Sequence, residues 1–174
     1  MNKKGFTLIE LVIYTAAFAI IATLLTLFVF NLIRVQAKIR ISKEVSENSQ
    51  RAMEIMLWEI RHAQVVYTPT SVFDTSPGQL TLETSQNTPE EEDTTYIDFY
   101  LGSDDRLYLK REGQETEALT PEDIKINTLV FNYLRVTGTD SIRIELSASY
   151  RSASLKPAYQ ATTTLISSAS LRND

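Results

Sequence analysis

The feature that most constrains this chain is an uncharged apolar segment close to its amino terminus. From Leu11 to Ile33 there are 23 residues without a formal charge. At about 1.5 Å per helical residue this segment reaches roughly 34 Å, enough to cross the hydrocarbon core of a bilayer with some tilt. One carboxylate, Glu10, lies at its leading edge. A charge near the membrane interior costs on the order of 3 kcal/mol, so we expect Glu10 to have a partner.

A short basic leader precedes the apolar segment. Lys3 and Lys4 are followed by Gly5 and Phe6, and Glu10 comes four residues after Phe6. This pattern resembles the class III signal of type IV pilins and of the pseudopilins of type II secretion systems. The resemblance implies that a prepilin peptidase cleaves the chain between Gly5 and Phe6, and that the new amino terminus at Phe6 becomes N-methylated.

The cleavage gives Glu10 a partner. It creates an α-amino group that is cationic at neutral pH, and an amine and a carboxylate in apolar surroundings lower the cost of each other's charge. Phe6 and Glu10 lie one helical turn apart, so pairing within one subunit is possible in principle. The resemblance instead implies pairing between neighbours, in which Glu10 of an incoming subunit meets the amine of an assembled one and sets the axial register. It also implies that this subunit does not start the tip, because the pseudopilin proposed for that role lacks the glutamate.

Two other kinds of amino-terminal segment share some of these properties. A secretory signal peptide has an apolar region of about 7–15 residues followed by a small-residue cleavage site, and this segment is longer. A plain single-pass anchor fits the hydropathy, with Lys3 and Lys4 holding the start of the chain in the cytoplasm by the positive-inside rule. The competing functional hypothesis is therefore a permanently membrane-anchored extracellular adhesin or binding module.

Composition and charge describe the part of the chain beyond the apolar segment. The 174 residues include no cysteine, so disulfides and thiolate metal sites are excluded. Residues 34–62 carry a net charge of +2, whereas the chain from residue 63 onward carries nine basic and seventeen acidic residues. An acidic head is a poor surface for nucleic acid, so no nucleic-acid partner is expected. The basic residues just beyond the apolar segment could contact lipid head groups or acidic residues of adjacent subunits.

The hydrophobic pattern predicts one long helix followed by strands. No proline occurs between Ile33 and Pro69, and four apolar residues near residues 53–60 have the i, i+3, i+4, i+7 spacing of an amphipathic helix. A rod from Phe6 to about Ala63 is expected, apolar all round in its first half and on one side in its second. Alternating polar and apolar residues predict strands in the remainder, and Gly102 to Asp105 predicts a hairpin turn. The predicted strands are Gln79–Glu83, Thr95–Leu101, Arg106–Lys110, Leu129–Val136, Ser141–Leu146 and Tyr159–Leu171.

Together these patterns predict an α+β fold with a pilin-like architecture. The second half of the helix is expected to pack on an antiparallel β-sheet head, with a short helical turn beginning at Pro121. The expected organisation is a leader peptide (residues 1–5), a transmembrane and assembly half of the helix (6–33) and a soluble head (34–174) that includes the amphipathic helix half.

The segments Gln50–Met53 and Glu59–Ala63 look most like those of J-type minor pseudopilins and W-type minor pilins. The resemblance implies a structural subunit, minor in abundance, of a type IV pilus or a type II secretion pseudopilus. Its implied partners are the prepilin peptidase, other pilin or pseudopilin subunits, an inner-membrane assembly platform and the lipid bilayer. The expected location is the inner membrane, with the amino terminus in the cytoplasm and the head outside, and then the fibre.

Few residues point to chemistry beyond assembly. His62 is the only histidine and is interpreted as a helix-end or surface residue, and no nucleophile has a base at a suitable spacing, so no enzymatic activity is expected. The acidic runs Glu90–Asp93 and Asp104–Asp105 could hold calcium, but they lack the alternating spacing of an EF-hand, so no cofactor or metal is expected. Several aromatic residues could form a ligand platform, although aromatic enrichment is ordinary for strands. They are Tyr96, Phe99, Tyr100, Tyr108, Phe131 and Tyr133.

Overall fold

A computed structural model describes residues 7–86, 88, 93–136, 139–151 and 160–172. Within these residues, one helix, α1 (Leu8–His62), precedes eight strands, and every pair of neighbouring strands is antiparallel. The predicted α+β architecture, with one long amino-terminal helix followed by antiparallel strands, is confirmed. At 1.5 Å per residue, the 55 residues of α1 extend over about 82 Å.

The ends of α1 follow from local residue chemistry. Thr7 is the N-cap residue, with an extended backbone. No proline or glycine interrupts the helix from Leu8 to His62. At the other end, Ala63 has an extended conformation, and its N–H donates to the carbonyl of Glu59 at 2.9 Å. Arg61 and His62 occupy the last turn, where a cationic side chain complements the negative end of the helix dipole.

The two halves of α1 have different surroundings. The large apolar side chains between Leu8 and Ile39 are between 44% and 80% exposed. Beyond Ile41 one face of the helix is buried, which confirms the predicted apolar stripe. The first half therefore contributes nothing to the core of the head, and the second half is its central support. The buried residues of this face are Val45, Ser49, Ala52, Met53, Met56, Leu57 and Ile60.

The strands form two sheets, whereas the sequence pattern predicted one. The first sheet has the order β1 (Val65–Val66), β2 (Leu80–Thr84), β3 (Thr95–Leu101), β4 (Leu107–Arg111) and β5 (Glu117–Ala118). The second has the order β6 (Ile124–Val136), β7 (Thr139–Tyr150) and β8 (Thr162–Ser170). The turn at Gly102 to Asp105 joins β3 to β4 as predicted, and the N–H of Gly102 donates to the carbonyl of Arg106 at 2.9 Å.

The sheets remain separate because another segment occupies the outer edge of β6. The N–H groups of Asp74 and Gly78 donate to the carbonyls of Phe131 and Leu129 at 2.9 and 2.8 Å. The N–H of Leu129 donates to Ser76 Oγ at 3.2 Å. A side chain at position 78 would bring its Cβ within 3.0 Å of the Leu129 carbonyl oxygen, so glycine permits this close approach. Residues 74–78 thus take the place that a strand of the first sheet would need.

The predicted helical turn at Pro121 is instead an isolated turn. The N–H of Ile124 donates to the carbonyl of Pro121 at 3.2 Å, and the chain then enters β6 directly. The carbonyl of Asp123 accepts a bond from the N–H of Arg151 at 2.7 Å, which draws this segment into the second sheet. Both sheets and the second half of α1 contribute to one hydrophobic core, with Phe99 and Phe131 among its largest fully buried side chains.

Candidate functional site

Glu10 folds back over the first turn of α1 and caps it. The N–H and the hydroxyl of Thr7 both donate to Glu10 Oε2, at 3.0 and 2.8 Å. In return, the N–H of Glu10 donates to Thr7 Oγ1 at 3.4 Å. This reciprocal arrangement is a capping box, which satisfies backbone donors that a helix start leaves unpaired. It also places the carboxylate at the positive end of the helix dipole.

The capping box determines where the carboxylate points. It turns toward the amino terminus, and it lies within hydrogen-bonding distance of the backbone nitrogen of Thr7. That nitrogen is bonded to Phe6, the residue at which processing is predicted to create the amine. Gly5 and Phe6 lie outside the described residues, so their roles stay predictions. The sequence analysis identified Glu10 but missed the cap, although Thr7-x-x-Glu10 is the usual signature of a capping box.

The segment behind Glu10 is chemically suited to apolar surroundings. Its large apolar side chains are exposed, and an apolar stretch of 18 residues within α1 has no buried residue. By length and composition α1 is able to cross a membrane. The hydroxyls of Thr15, Thr23 and Thr26 donate to backbone carbonyls one turn earlier, at 3.0, 2.8 and 2.8 Å. These threonines therefore need no hydrogen-bond partner from lipid.

A charged contact fastens the other end of α1 to the first sheet. The guanidinium of Arg111, on β4, donates to the carboxylate of Glu59 in the last two turns of the helix. The side chain of Glu59 is only 5% exposed, and that of Arg111 is 26% exposed. Because a buried carboxylate without a partner is costly, this pair holds β4 against the helix. It lies beside an open cavity of about 520 Å³, which is also lined by Trp58 and Leu109.

Two of the acidic residues considered for calcium, Asp104 and Asp105, make contacts within the chain. The hydroxyl of Tyr108 donates to Asp104 Oδ2 at 2.7 Å, which lowers the pKa of Asp104 and raises that of Tyr108. Asp105 pairs with Lys125 at 2.9 Å. Among the described residues, no three histidine, cysteine, aspartate or glutamate side chains come together as a metal site would require. Glu90, Glu91 and Glu92 lie outside the described part of the chain.

The aromatic residues considered for a ligand platform have different surroundings. Phe99 and Phe131 are fully buried. Tyr100 stacks on Tyr108 with ring centroids 5.8 Å apart, while Tyr133 stacks on Phe73 at 5.5 Å. Tyr96 contacts Tyr67 edge to face at 5.1 Å. His62 lies at the helix end as predicted, where it stacks on Trp58 and contacts the carbonyl of that residue at 2.8 Å.

A second charged cluster fixes the hairpin between β6 and β7. Asp140 accepts hydrogen bonds from Nε and Nη2 of Arg135, at 2.6 and 2.9 Å, and from the Tyr133 hydroxyl at 2.8 Å. The bond from Arg135 is the main reason that the pKa of Asp140 is lowered. Asp140 is buried, so the charged form of its carboxylate depends on these donors.

Comparison with known proteins concerns the amino-terminal segment. Residues 1–26 match the family model described as the prokaryotic N-terminal methylation motif. No curated protein and no solved structure matches this chain. The match covers the leader, the predicted cleavage position, Glu10 and the first turns of α1, and it confirms the resemblance drawn from these residues.

The buried pair generates the first prediction. Arg111→Met leaves the Glu59 carboxylate buried without its guanidinium and lowers the free energy of unfolding by about 2–3 kcal/mol. Glu59→Gln in the same background recovers part of that loss, because the uncompensated charge is gone. Urea unfolding of the purified full chain in detergent, monitored by circular dichroism, measures both values. If the double variant is less stable than Arg111→Met alone, the stabilising role of the pair is contradicted.

The Asp140 cluster generates a prediction for acid pH. Since the pKa of Asp140 is lower in the folded state than its unfolded value of about 3.9, its contribution to stability is present above about pH 4. That contribution is lost as the pH falls through the folded value. Asp140→Asn therefore lowers the urea midpoint at pH 7, and the gap to the parent protein narrows by pH 3. Exposed Glu115→Gln is the control, and a gap that is constant across this range would contradict the role of ionised Asp140.

Proposed function

We propose that this protein, which carries the N-terminal methylation motif of the type IV pilin and pseudopilin family, is a minor structural subunit of a type IV pilus or a type II secretion pseudopilus. The observation that carries the proposal is the combination of that motif with a solvent-exposed apolar helix half in front of a packed head. The motif supports processing by a prepilin peptidase. In the proposal the protein is the substrate of that enzyme and has no catalytic activity of its own.

The exposed half of α1 determines where the protein resides. Leaving a large apolar side chain in water costs about 1.5–3 kcal/mol relative to burying it, and α1 has more than a dozen such side chains before Ile39. The bilayer covers this surface before assembly. In the fibre, other pilin or pseudopilin helices cover it, held mainly by close packing. Lys3 and Lys4 keep the start of the chain on the cytoplasmic side of the inner membrane, so the head lies outside.

The capping box prepares Glu10 for assembly. It holds the carboxylate against the N–H and the hydroxyl of Thr7, which directly follows Phe6 in the sequence, the residue at which cleavage would create the amine. The carboxylate is thus already at the end of the helix where an amine from a neighbouring subunit arrives. Pairing between subunits neutralises two charges within the apolar helix bundle and aligns the subunits along the fibre axis. An inner-membrane assembly platform would draw the processed subunit out of the bilayer.

The head carries the features that favour a minor subunit. The resemblance of Gln50–Met53 and Glu59–Ala63 to J-type and W-type proteins supports this subclass. The acidic charge of the chain from residue 63 onward supports contacts with basic surfaces of other subunits, and it disfavours nucleic acid as a partner. A permanently anchored adhesin is the alternative function, and processing at Gly5 distinguishes the two.

Processing is tested by intact mass. We expect the protein extracted from its native membranes to lack Met1 to Gly5 and to carry one additional methyl group at Phe6. Gly5→Val places a branched side chain at the cleavage position and should leave the leader in place. Asn2→Ala, in the same leader, is the control and should be processed normally. A parent protein that retains its full leader would favour the permanently anchored adhesin.

Assembly is tested by substitution of the carboxylate. Glu10→Ala should leave membrane insertion intact but reduce incorporation into the fibre at least about tenfold, because the neighbour's amine loses its partner in apolar surroundings. Thr7→Val removes the capping hydroxyl while the carboxylate remains, and it should have a much smaller effect. Sheared fibres and membranes are compared by quantitative immunoblotting. Equal amounts of parent and Glu10→Ala protein in the fibre would contradict the register role of Glu10.

A further inference from the structure

Strand β8 is an edge strand with one side of its backbone turned away from the sheet. It pairs with β7 without a register shift, from Ser141 opposite Ser170 to Ser149 opposite Thr162. Among the described residues, no strand pairs with its other side. The strand is nine residues long, longer than the mean strand of about five or six residues.

Two hydrogen bonds show which residues point outward. The N–H of Tyr150 donates to the carbonyl of Ala161 at 3.0 Å, and the N–H of Leu171 donates to the carbonyl of Asp140 at 2.9 Å. In antiparallel pairs, hydrogen-bonded positions alternate along the strand. Every second residue from Ala161 to Leu171 therefore bonds to β7. The residues between them direct their N–H and C=O groups away from the sheet, and we call them the β8 edge: Thr162, Thr164, Ile166, Ser168 and Ser170.

The other sheet edges of this chain are protected. The first sheet ends on both sides in strands of only two residues, β1 and β5. The outer side of β6 is bonded by residues 74–78 at Leu129 and Phe131, in the middle of the strand. Very short edge strands and covering loops are two ways in which proteins prevent unwanted strand pairing. In the part of the chain that the structure describes, the β8 edge is neither short nor covered by a loop.

The composition of β8 also permits pairing. It contains no charged residue and no proline, the residue types that commonly block addition of a strand at an edge. All five residues of the β8 edge are exposed, and Ile166 is 55% exposed. From this geometry we propose that the β8 edge binds an extended segment of a different polypeptide, which adds to the second sheet as a fourth strand.

The direction of α1 excludes antiparallel pairing of β8 with the β8 strand of a second copy. Two identical strands that pair antiparallel side by side are related by a two-fold axis perpendicular to their sheet. The helix packs on β7 and β8 and so lies along the sheet, which means that this rotation reverses its direction. The two apolar helix halves would then point opposite ways and could not enter one bilayer. Among the described residues, the remaining edges offer no long free strand for a head-to-tail contact between copies.

The chemistry of β8 defines the partner segment. It should be extended and uncharged, and about five to nine residues long to match the β8 edge. On the outer face of the sheet, Val130, Glu145 and Ile166 lie side by side on β6, β7 and β8. An apolar partner residue beside Ile166 would therefore bury part of its surface against that side chain. Specificity would come from that residue, and most of the affinity would come from backbone hydrogen bonds.

Hydrogen exchange of the full chain tests the proposal. In detergent alone, the amides of the β8 edge should exchange rapidly, while Thr163, Leu165 and Ser167, whose N–H groups face β7, should be protected. In the assembled complex from native membranes, the β8 edge should become at least about 100-fold slower to exchange. Rapid exchange of these amides in both samples would overturn the proposal.

Two substitutions of Ser168 distinguish the contribution of its backbone N–H from that of its side chain. Ser168→Pro removes an outward N–H and blocks strand addition, whereas Ser168→Ala removes only the hydroxyl. The slower exchange of the β8 edge in the assembled complex should be lost in Ser168→Pro and kept in Ser168→Ala. Ile166→Lys is a second blocking variant in case proline disturbs folding, and Ser147→Lys on the neighbouring strand β7 is its control. Equal protection in all variants would contradict pairing along β8.

The absence of native cysteine allows the occupant to be identified. A photoactivatable group on Ile166→Cys should join the chain to a different polypeptide, and this product should disappear with Ser168→Pro but not with Ser168→Ala. A product of twice the chain mass would overturn the exclusion of a second copy. Leader removal is measured in the same samples. Processed protein without an added strand would refute only this inference, and unprocessed protein would refute the proposed function.

Discussion

The structure depends on the contrast between the two halves of one continuous helix. Before Ile39 the apolar side chains surround α1 on all sides, and no described residue of the head covers them. After Ile41 the apolar side chains keep to one face, and both sheets pack around it. Because the two halves share one uninterrupted helical backbone, any movement of the first half along the helix axis moves the head by the same amount. A displacement of the first half is therefore transmitted to the head.

Glu10 lies in the first turn of α1, at the amino-terminal end of the apolar half. A carboxylate at the start of an apolar helix is unfavourable unless hydrogen bonds or a counter-charge satisfy it. Thr7 supplies the hydrogen bonds within the chain, and the proposed cleavage supplies a counter-charge beside the cap. The capping box is compatible with the proposed charge pair, because the cap positions the Glu10 carboxylate and the charge pair uses the same carboxylate. The same glutamate thus caps the start of the helix and, in the proposed function, provides the contact by which helices align.

The sequence predicts the parts of the fold that depend on local periodicity. The amphipathic stripe ending at Ile60, strand β3 and the turn at Gly102 all follow from spacing within a few residues. Features that depend on distant residues were not predictable in this way. The division into two sheets arises from residues 74–78 bonding to β6 more than fifty residues later in the chain.

The candidate site also combines features that the local sequence indicates with features that depend on distant residues. Glu10 was identified because one charge in an apolar run is anomalous, and the motif that contains it matches a known family model. The capping role of Thr7 was missed even though its signal is local. By contrast, the pairing of Glu59 with Arg111 joins residues 52 positions apart, and no spacing rule indicates it. The edge character of β8 likewise becomes visible only once the order of the strands is known.

Zero-length cross-linking tests the central claim most directly. An apolar carbodiimide applied to assembled fibres converts a carboxylate and an amine in contact into an amide bond. If subunits align through this pair, peptide mass spectrometry should find the amino-terminal peptide beginning at Phe6 linked to the helix glutamate of a neighbouring subunit, and Glu10 linked to a neighbour's amino terminus. If Glu10 links only to the amine of its own chain, or to none, alignment of subunits by this charge pair is contradicted.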